Sequence, residues 1–429
     1  MTLRFTKLTL WTTVLAAFIW CNYFNQSMLF ALGGTIVIAI EIFVALMIWS
    51  TPTHAIITWE RYSSYKNLAI TVLLFYALYI VVFAFGSPGV SQVTVPFLNV
   101  KIPKQIYNAI FDVIFVSTIL TAFIKMDQYE VRRFYKVIII IIFTVALFNL
   151  IVVLLDPSLT KVEAYNEEGT VFTLGYSMAY VLALLFPVLL SCFMQKKKNR
   201  LYVLSILLIV VFSVYLSGYF IAVTAILLSL IVRWILSIRN KGLRYLILLA
   251  TLALLIVLFA FGYAKVALLW MAERTDIAFF KGRLLEIVDF MNEGMSQAVV
   301  GKTTYRFYIY KDTWEHFLAS PIFGNYIIGV FDGSYDHATF LDLLSCGGII
   351  LGGAFILMLK YGYRFGLTRL QKSESKQSLL TCYITYFYLT LFNSCLSYKL
   401  LGLLFVIAPL MLSVWEQEGS YENTDCTSL

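Results

Sequence analysis

The chain has 429 residues, 61% of them hydrophobic and 13% charged, and its 32 Lys and Arg outnumber 24 Asp and Glu for a formal charge of +8. A mean hydropathy of +0.84 lies far outside the balance of soluble globular domains and excludes an ordinary water-soluble enzyme. The positive charge is dispersed over short connections rather than gathered on one face, which argues against a nucleic-acid partner.

Apolar runs of about 20 residues, the length a helix needs to cross a bilayer, recur from end to end. Hydropathy puts them at 8–24, 28–49, 67–85, 106–124, 137–155, 178–194, 201–216, 218–236, 246–265, 338–359, 378–396 and 399–415. The expected fold is therefore an all-α integral membrane protein of about twelve transmembrane helices. No small-x-small cleavage site follows the first run, so it reads as an uncleaved helix. The stretch 201–236 is too long for one crossing, and Ser217-Gly218 near its middle offers a turn, so it reads as a tight hairpin. With the N-terminus in the cytoplasm, 21 of the 32 Lys and Arg then fall on the cytoplasmic face, as the positive-inside rule requires. The basic runs, QKKKNR at 195–200 among them, read as topology determinants and contacts for anionic membrane lipids. Six cysteines without CxxC spacing support neither a metal site nor a disulfide framework.

The expected organisation is a nine-helix region (1–265), an external loop (266–337), three further spans (338–415) and a cytoplasmic tail (416–429). Two shorter outer connections, the Gly/Pro/Val-rich 86–105 and the acidic 156–177, read either as solvated links or as the rim of a substrate entrance. The long loop is expected to hold two amphipathic helices. In the second, Phe307, Tyr310, Trp314, Phe317 and Leu318 recur at helical spacing as one stripe that packs against either the membrane surface or the helix bundle, while Lys311 and Glu315 stand four apart as an ion pair. Ser320-Pro321 ends that helix and Gly324 opens a turn.

Chemistry concentrates in the same stretch. His337 follows Asp336 and directly precedes an apolar run, so it stands at the mouth of the tenth span, either as a helix-end cap or as a base that Asp336 orients. Arg306 heads the amphipathic helix, as a surface salt-bridge residue or as an anion contact. Glu41 and Asp112 are ionisable groups at membrane depth, which ordinarily face the bundle interior, and they would be pathway residues in a transporter.

Arg306, Trp314, SPIFGN (320–325) and DHATFLDLLSCGGIILGG (336–353) together resemble the hallmark segment of the O-antigen ligase and O-antigen polymerase superfamily of bacterial surface-polysaccharide assembly. The resemblance covers about fifty residues and includes the late position of the loop, with three spans after it. Two positions depart from the family pattern. Ala338 stands where an Asn follows the His, and Ser217-Gly218 stands where an earlier span carries Ser-Arg. The resemblance implies a multi-span enzyme of the bacterial cytoplasmic membrane, with its site on the external face, acting on a polyprenyl-pyrophosphate-linked oligosaccharide. A repeat-unit flippase and a chain-length regulator are its implied partners. The departures favour a polymerase over a ligase. Such chemistry has a sugar hydroxyl attack an anomeric carbon as pyrophosphate leaves. It calls for a base near neutral pKa, His337, and a cation with a planar fork, Arg306; Arg283 and Lys302 are candidates for the missing Arg. No Asp-x-Asp or His-rich set calls for a metal, and no cofactor is implied. A glycolipid transporter or flippase is the competing class, against which stand the lack of an internal repeat and the large loop.

Overall fold

The computed structural model describes residues 10–14, 34–52, 58–84, 92–95, 100–155, 176–195, 200–260, 262–275, 278–293, 302–325 and 338–424. Helices dominate. In chain order they are α1 (Gly34–Ser50), α2 (Trp59–Ala84), α3 (Lys104–Lys125), α4 (Gln128–Leu155), α5 (Tyr176–Gln195), α6 (Arg200–Leu216), α7 (Phe220–Ser237) and α8 (Lys241–Ala260). Then follow α9 (Tyr263–Glu273), α10 (Ala278–Glu293), α11 (Lys302–Ala319), α12 (Thr339–Leu367), α13 (Ser373–Phe392), α14 (Tyr398–Gly402) and α15 (Ala408–Thr424). A π-helical turn, Leu403–Ile407, joins α14 to α15 in one continuous rod.

Among the described residues, six helices are long and apolar enough to cross a membrane: Trp59–Ala84, Gln105–Lys125, Met178–Gln195, Phe220–Ser237, Thr339–Leu367 and Leu400–Gln417. The last is apolar on every side and almost wholly buried, as a central helix should be. Around it α2, α3 and α12 pack into one group and α5, α6, α7 and α13 into another. Phe75, Phe355, Phe365 and Phe405 are among the large side chains fully buried between them. Polar groups close the helix ends. Lys125 Nζ donates to the carbonyls of Ile48, Trp49 and Thr51 at the C-terminus of α1, and Glu416 accepts the Gln371 and Lys372 N–H groups ahead of α13.

The stretch 201–236 does break where the sequence offers a turn, with α6 ending at Leu216, Gly218 at φ 69° and α7 starting at Phe220. One expectation needs correction and one connection gains detail. The run 246–265 does not continue as one helix, because Gly262 takes φ +73° and starts α9 at Tyr263, so the loop region holds three helices rather than two. The connection 86–105 contains an antiparallel ribbon, β1 (Gln92–Val95) with β2 (Val100–Pro103), in the register Gln92 opposite Pro103 and Val95 opposite Val100. Short alternating QVTV and VKIP segments are its sequence signal.

Candidate functional site at one end of the bundle

On α3, Gln105, Asn108 and Asp112 are spaced i, i+3 and i+7, so one face of this otherwise apolar helix carries three polar side chains. They line a cavity of about 100 Å³ with Thr339 and Asp342 from the first turn of α12 and Ser394 from the connection after α13. Tyr79 and Phe83 of α2 close one side. The space suits a few water molecules held by polar walls. Asp112 is 6% exposed, and an ionisable group buried on a membrane-crossing helix is costly to keep even when hydrogen-bonded, which makes it a functional candidate by default.

The α12 end of the cavity is tightly organised. Asp342 and Ala338 cap each other: the Ala338 N–H donates to Asp342 Oδ2 at 3.1 Å, and the Asp342 N–H to the Ala338 carbonyl at 2.8 Å. Thr339 Oγ1 accepts the Cys395 N–H at 2.7 Å and the Leu396 N–H at 3.2 Å, while the Thr339 N–H donates to the Asn393 carbonyl at 3.1 Å. One threonine thus ties the start of α12 to the segment that contributes Ser394.

A second device fixes the direction of that first turn. Inside α12, Gly348 has φ 61° and ψ −158°, a region open essentially to glycine alone, and the helix breaks there. The break severs the bond that Ile349 N–H would make to the Ser345 carbonyl four residues back. The turn after α11 satisfies both groups. Ile349 N–H donates to the Pro321 carbonyl at 2.8 Å, and the Asn325 N–H donates to the Ser345 carbonyl at 2.9 Å. The contact is backbone on backbone, since a Cβ on Gly348 would lie 2.2 Å from the Ile322 carbonyl oxygen and one on Gly324 2.1 Å from that of Cys346. Asn325 Nδ2 also donates to the His316 carbonyl, tying the turn to α11. The SPIFG turn and the Gly-Gly break are therefore one joint, formed where an apolar helix gives up its own hydrogen bonding for three bonds shared with a neighbour, the third and longest from the Ile350 N–H to the Ile322 carbonyl at 3.5 Å.

α11 is anchored further along by Tyr310, whose hydroxyl donates to the Phe392 carbonyl at 2.8 Å. Arg306 is one helical turn earlier and Lys302 begins the helix. Among the residues of α11 whose side chains are described, Ile309 and Thr313 are buried, whereas Trp314 and Leu318 of the expected stripe are 45% and 57% exposed, as suits the membrane-surface alternative. In a bilayer protein the aromatic side of such a helix suits lipid as well as protein, so spacing alone does not reveal the packed face. The expected Lys311–Glu315 pair is present at 3.6 Å, and the helix ends at Ser320 with Gly324 at φ 74°.

Of the other site residues expected from sequence, Arg283 sits on α10 with its guanidinium 2.6 Å from Glu286. Both side chains are partly exposed, so the pair is weak and leaves the guanidinium open to exchange. His337 and Asp336 lie outside the described residues, and the side chains of Arg306, Lys302 and Glu41 also lie outside what is described. Asp342, Thr339, Gln105, Asn108 and Ser394 were not singled out by sequence. The signals for them were the i, i+3, i+7 spacing on α3 and an acid four residues beyond Ala338. Among the described residues no three His, Cys, Asp or Glu side chains gather into a metal site. No protein-family model and no curated protein matches this chain.

Proposed function

We propose that the chain is a membrane glycosyltransferase that joins polyprenyl-pyrophosphate-linked oligosaccharide repeat units into a surface polysaccharide, at the external face of a bacterial cytoplasmic membrane. One observation carries this reading. The described parts of the segment that resembles the O-antigen polymerase hallmark, the turn 320–325 and the start of α12, brace each other, and the α12 end lines a polar cavity in an apolar bundle. In the proposed reaction His337 takes the proton from an acceptor sugar hydroxyl as its oxygen bonds to the anomeric carbon. The bond from that carbon to the pyrophosphate oxygen breaks on the opposite side, which inverts the centre. Asp336 orients His337, and Arg306, helped by Lys302 and Arg283, stabilises the leaving pyrophosphate. A flippase supplies the repeat unit and a chain-length regulator stops the polymer.

A second reading, transport of a glycolipid, is favoured by one observation: Asp112, buried at membrane depth beside the cavity. Reconstitution separates the two. Purified protein in liposomes loaded with lipid-linked repeat units should yield a ladder of polymer. Repeat units carried unchanged across the bilayer would support transport, and consumption of polymer only with an added acceptor would support a ligase.

A further inference from the structure

At the opposite end of the bundle from the polar cavity, Arg61 of α2 and Arg369, just after α12, line a second and larger space of about 460 Å³. The two cavities are separated along α2 by the residues from 61 to 79, about 27 Å at 1.5 Å per residue, close to the hydrocarbon thickness of a bilayer. They therefore lie toward opposite ends of the membrane-crossing part of the bundle. The remaining lining of the second space is mostly hydroxyl and amide: Thr58, Gln128, Gln371 and Gln417.

The two arginines are poorly satisfied by the protein. Arg369 donates from Nη2 to the Phe123 carbonyl at 2.7 Å and stacks over the Phe123 ring at 3.8 Å, but its buried Nε has no acceptor. Arg61 also has a buried Nε without an acceptor. No carboxylate pairs with either guanidinium among the described residues. Asp127 lines the same space, yet its Oδ1 accepts the Glu130 N–H at 2.7 Å while Glu130 Oε2 accepts the Asp127 N–H, so it serves the first turn of α4. Burial, and then the neighbouring charge of Arg61, hold the pKa of Arg369 down to about 9. Water can satisfy the stranded N–H groups but does not remove the repulsion between two fixed cations. A multiply charged anion with several acceptor oxygens does both.

We infer that Arg61 and Arg369 form a phosphoryl-binding site at the face of the protein that carries the basic clusters, separate from the candidate catalytic cavity. The ligand chemistry is a phosphate monoester, supplied by an anionic lipid headgroup of that leaflet or by a soluble phosphate. The site is independent of the proposed reaction.

The test is thermal stability of the purified full chain at constant ionic strength, with three probes: inorganic phosphate in detergent, and nanodiscs of phosphatidylcholine with or without phosphatidic acid. Wild type should be stabilised by phosphate, by phosphatidic acid, or by both. Phosphate alone assigns a soluble ligand, and phosphatidic acid alone assigns a headgroup. Arg61→Gln removes a side chain that holds no other element in place, so it should fold, and it should weaken the apparent affinity for the effective probe at least tenfold. Arg369→Gln should do the same, although it also loses the tie to α3. Lys66→Gln, an exposed cation on the same helix, should leave affinity unchanged. Equal losses in Lys66→Gln and Arg61→Gln, an Arg61→Gln response equal to wild type, or no response of wild type to either probe would overturn the inference.

Discussion

Replacing Gly348 by Ala tests whether the SPIFG turn and the broken α12 act as one joint. At φ 61° and ψ −158° an L side chain is strained by about 1–3 kcal/mol. The added Cβ would stand 2.2 Å from the Ile322 carbonyl oxygen, and that neighbour is backbone, which cannot swing aside. Separating the two segments would forfeit the Ile349-to-Pro321 and Asn325-to-Ser345 hydrogen bonds, each worth about 0.5–1.5 kcal/mol net. The expected cost is thus about 2–6 kcal/mol, roughly 4–12 °C of melting temperature at about 2 °C per kcal/mol. Gly353→Ala is the matched control, because a Cβ there meets nothing within 4 Å and the helix is regular. Thermal denaturation of the three purified proteins in one detergent reads the difference. A Gly348→Ala protein that melts with wild type and with Gly353→Ala would refute the joint.

Three further variants have stated outcomes. Thr339→Val keeps the shape of the side chain but removes the oxygen that accepts the Cys395 and Leu396 N–H groups, and should destabilise the protein by about 1–3 kcal/mol in a denaturation assay. Arg306→Lys retains the charge and loses the planar fork. At a pyrophosphate contact that should slow polymer formation about tenfold, for about 1.4 kcal/mol of transition-state binding, whereas at a solvated salt bridge turnover would be unchanged. A Cys introduced at Ser296, within the expected external segment 266–337, should react with an impermeant thiol reagent in intact cells; reaction only after permeabilisation would reverse the expected topology.

Part of the helical frame was legible because apolar runs of about bilayer length recur along the chain, and among the described residues six of the twelve expected spans are helices long and apolar enough to cross a membrane; the Ser217-Gly218 turn could be read from the excess length together with its turn residues. The break at Gly262 was not, since a single glycine within an apolar run carries no mark that separates a kink from a helix start. The β-ribbon was passed over for a different reason: the alternation in QVTV and VKIP spans only four residues each, too short to stand out until the two are seen paired. At the site, sequence singled out Asp112 and both halves of the SPIFGN and SCGG joint, but not that these halves bind each other. Backbone-to-backbone recognition leaves only small residues behind, and Gly324 and Gly348 look like ordinary turn and packing glycines until their carbonyl neighbours are known. Asp342 passed unnoticed because an acid in the first turn of a helix reads as routine capping, which it does perform, in addition to lining the cavity.

Glycosyl transfer with His337 as the base, the reaction proposed above, is tested by the fate of the lipid-linked repeat unit in cells carrying His337→Ala. Polymer should disappear while single repeat units accumulate on the outer leaflet, where they are open to an impermeant glycosidase or lectin. Polymer at the wild-type level would remove His337 from the chemistry, and repeat units held on the inner leaflet would contradict glycosyl transfer in favour of transport.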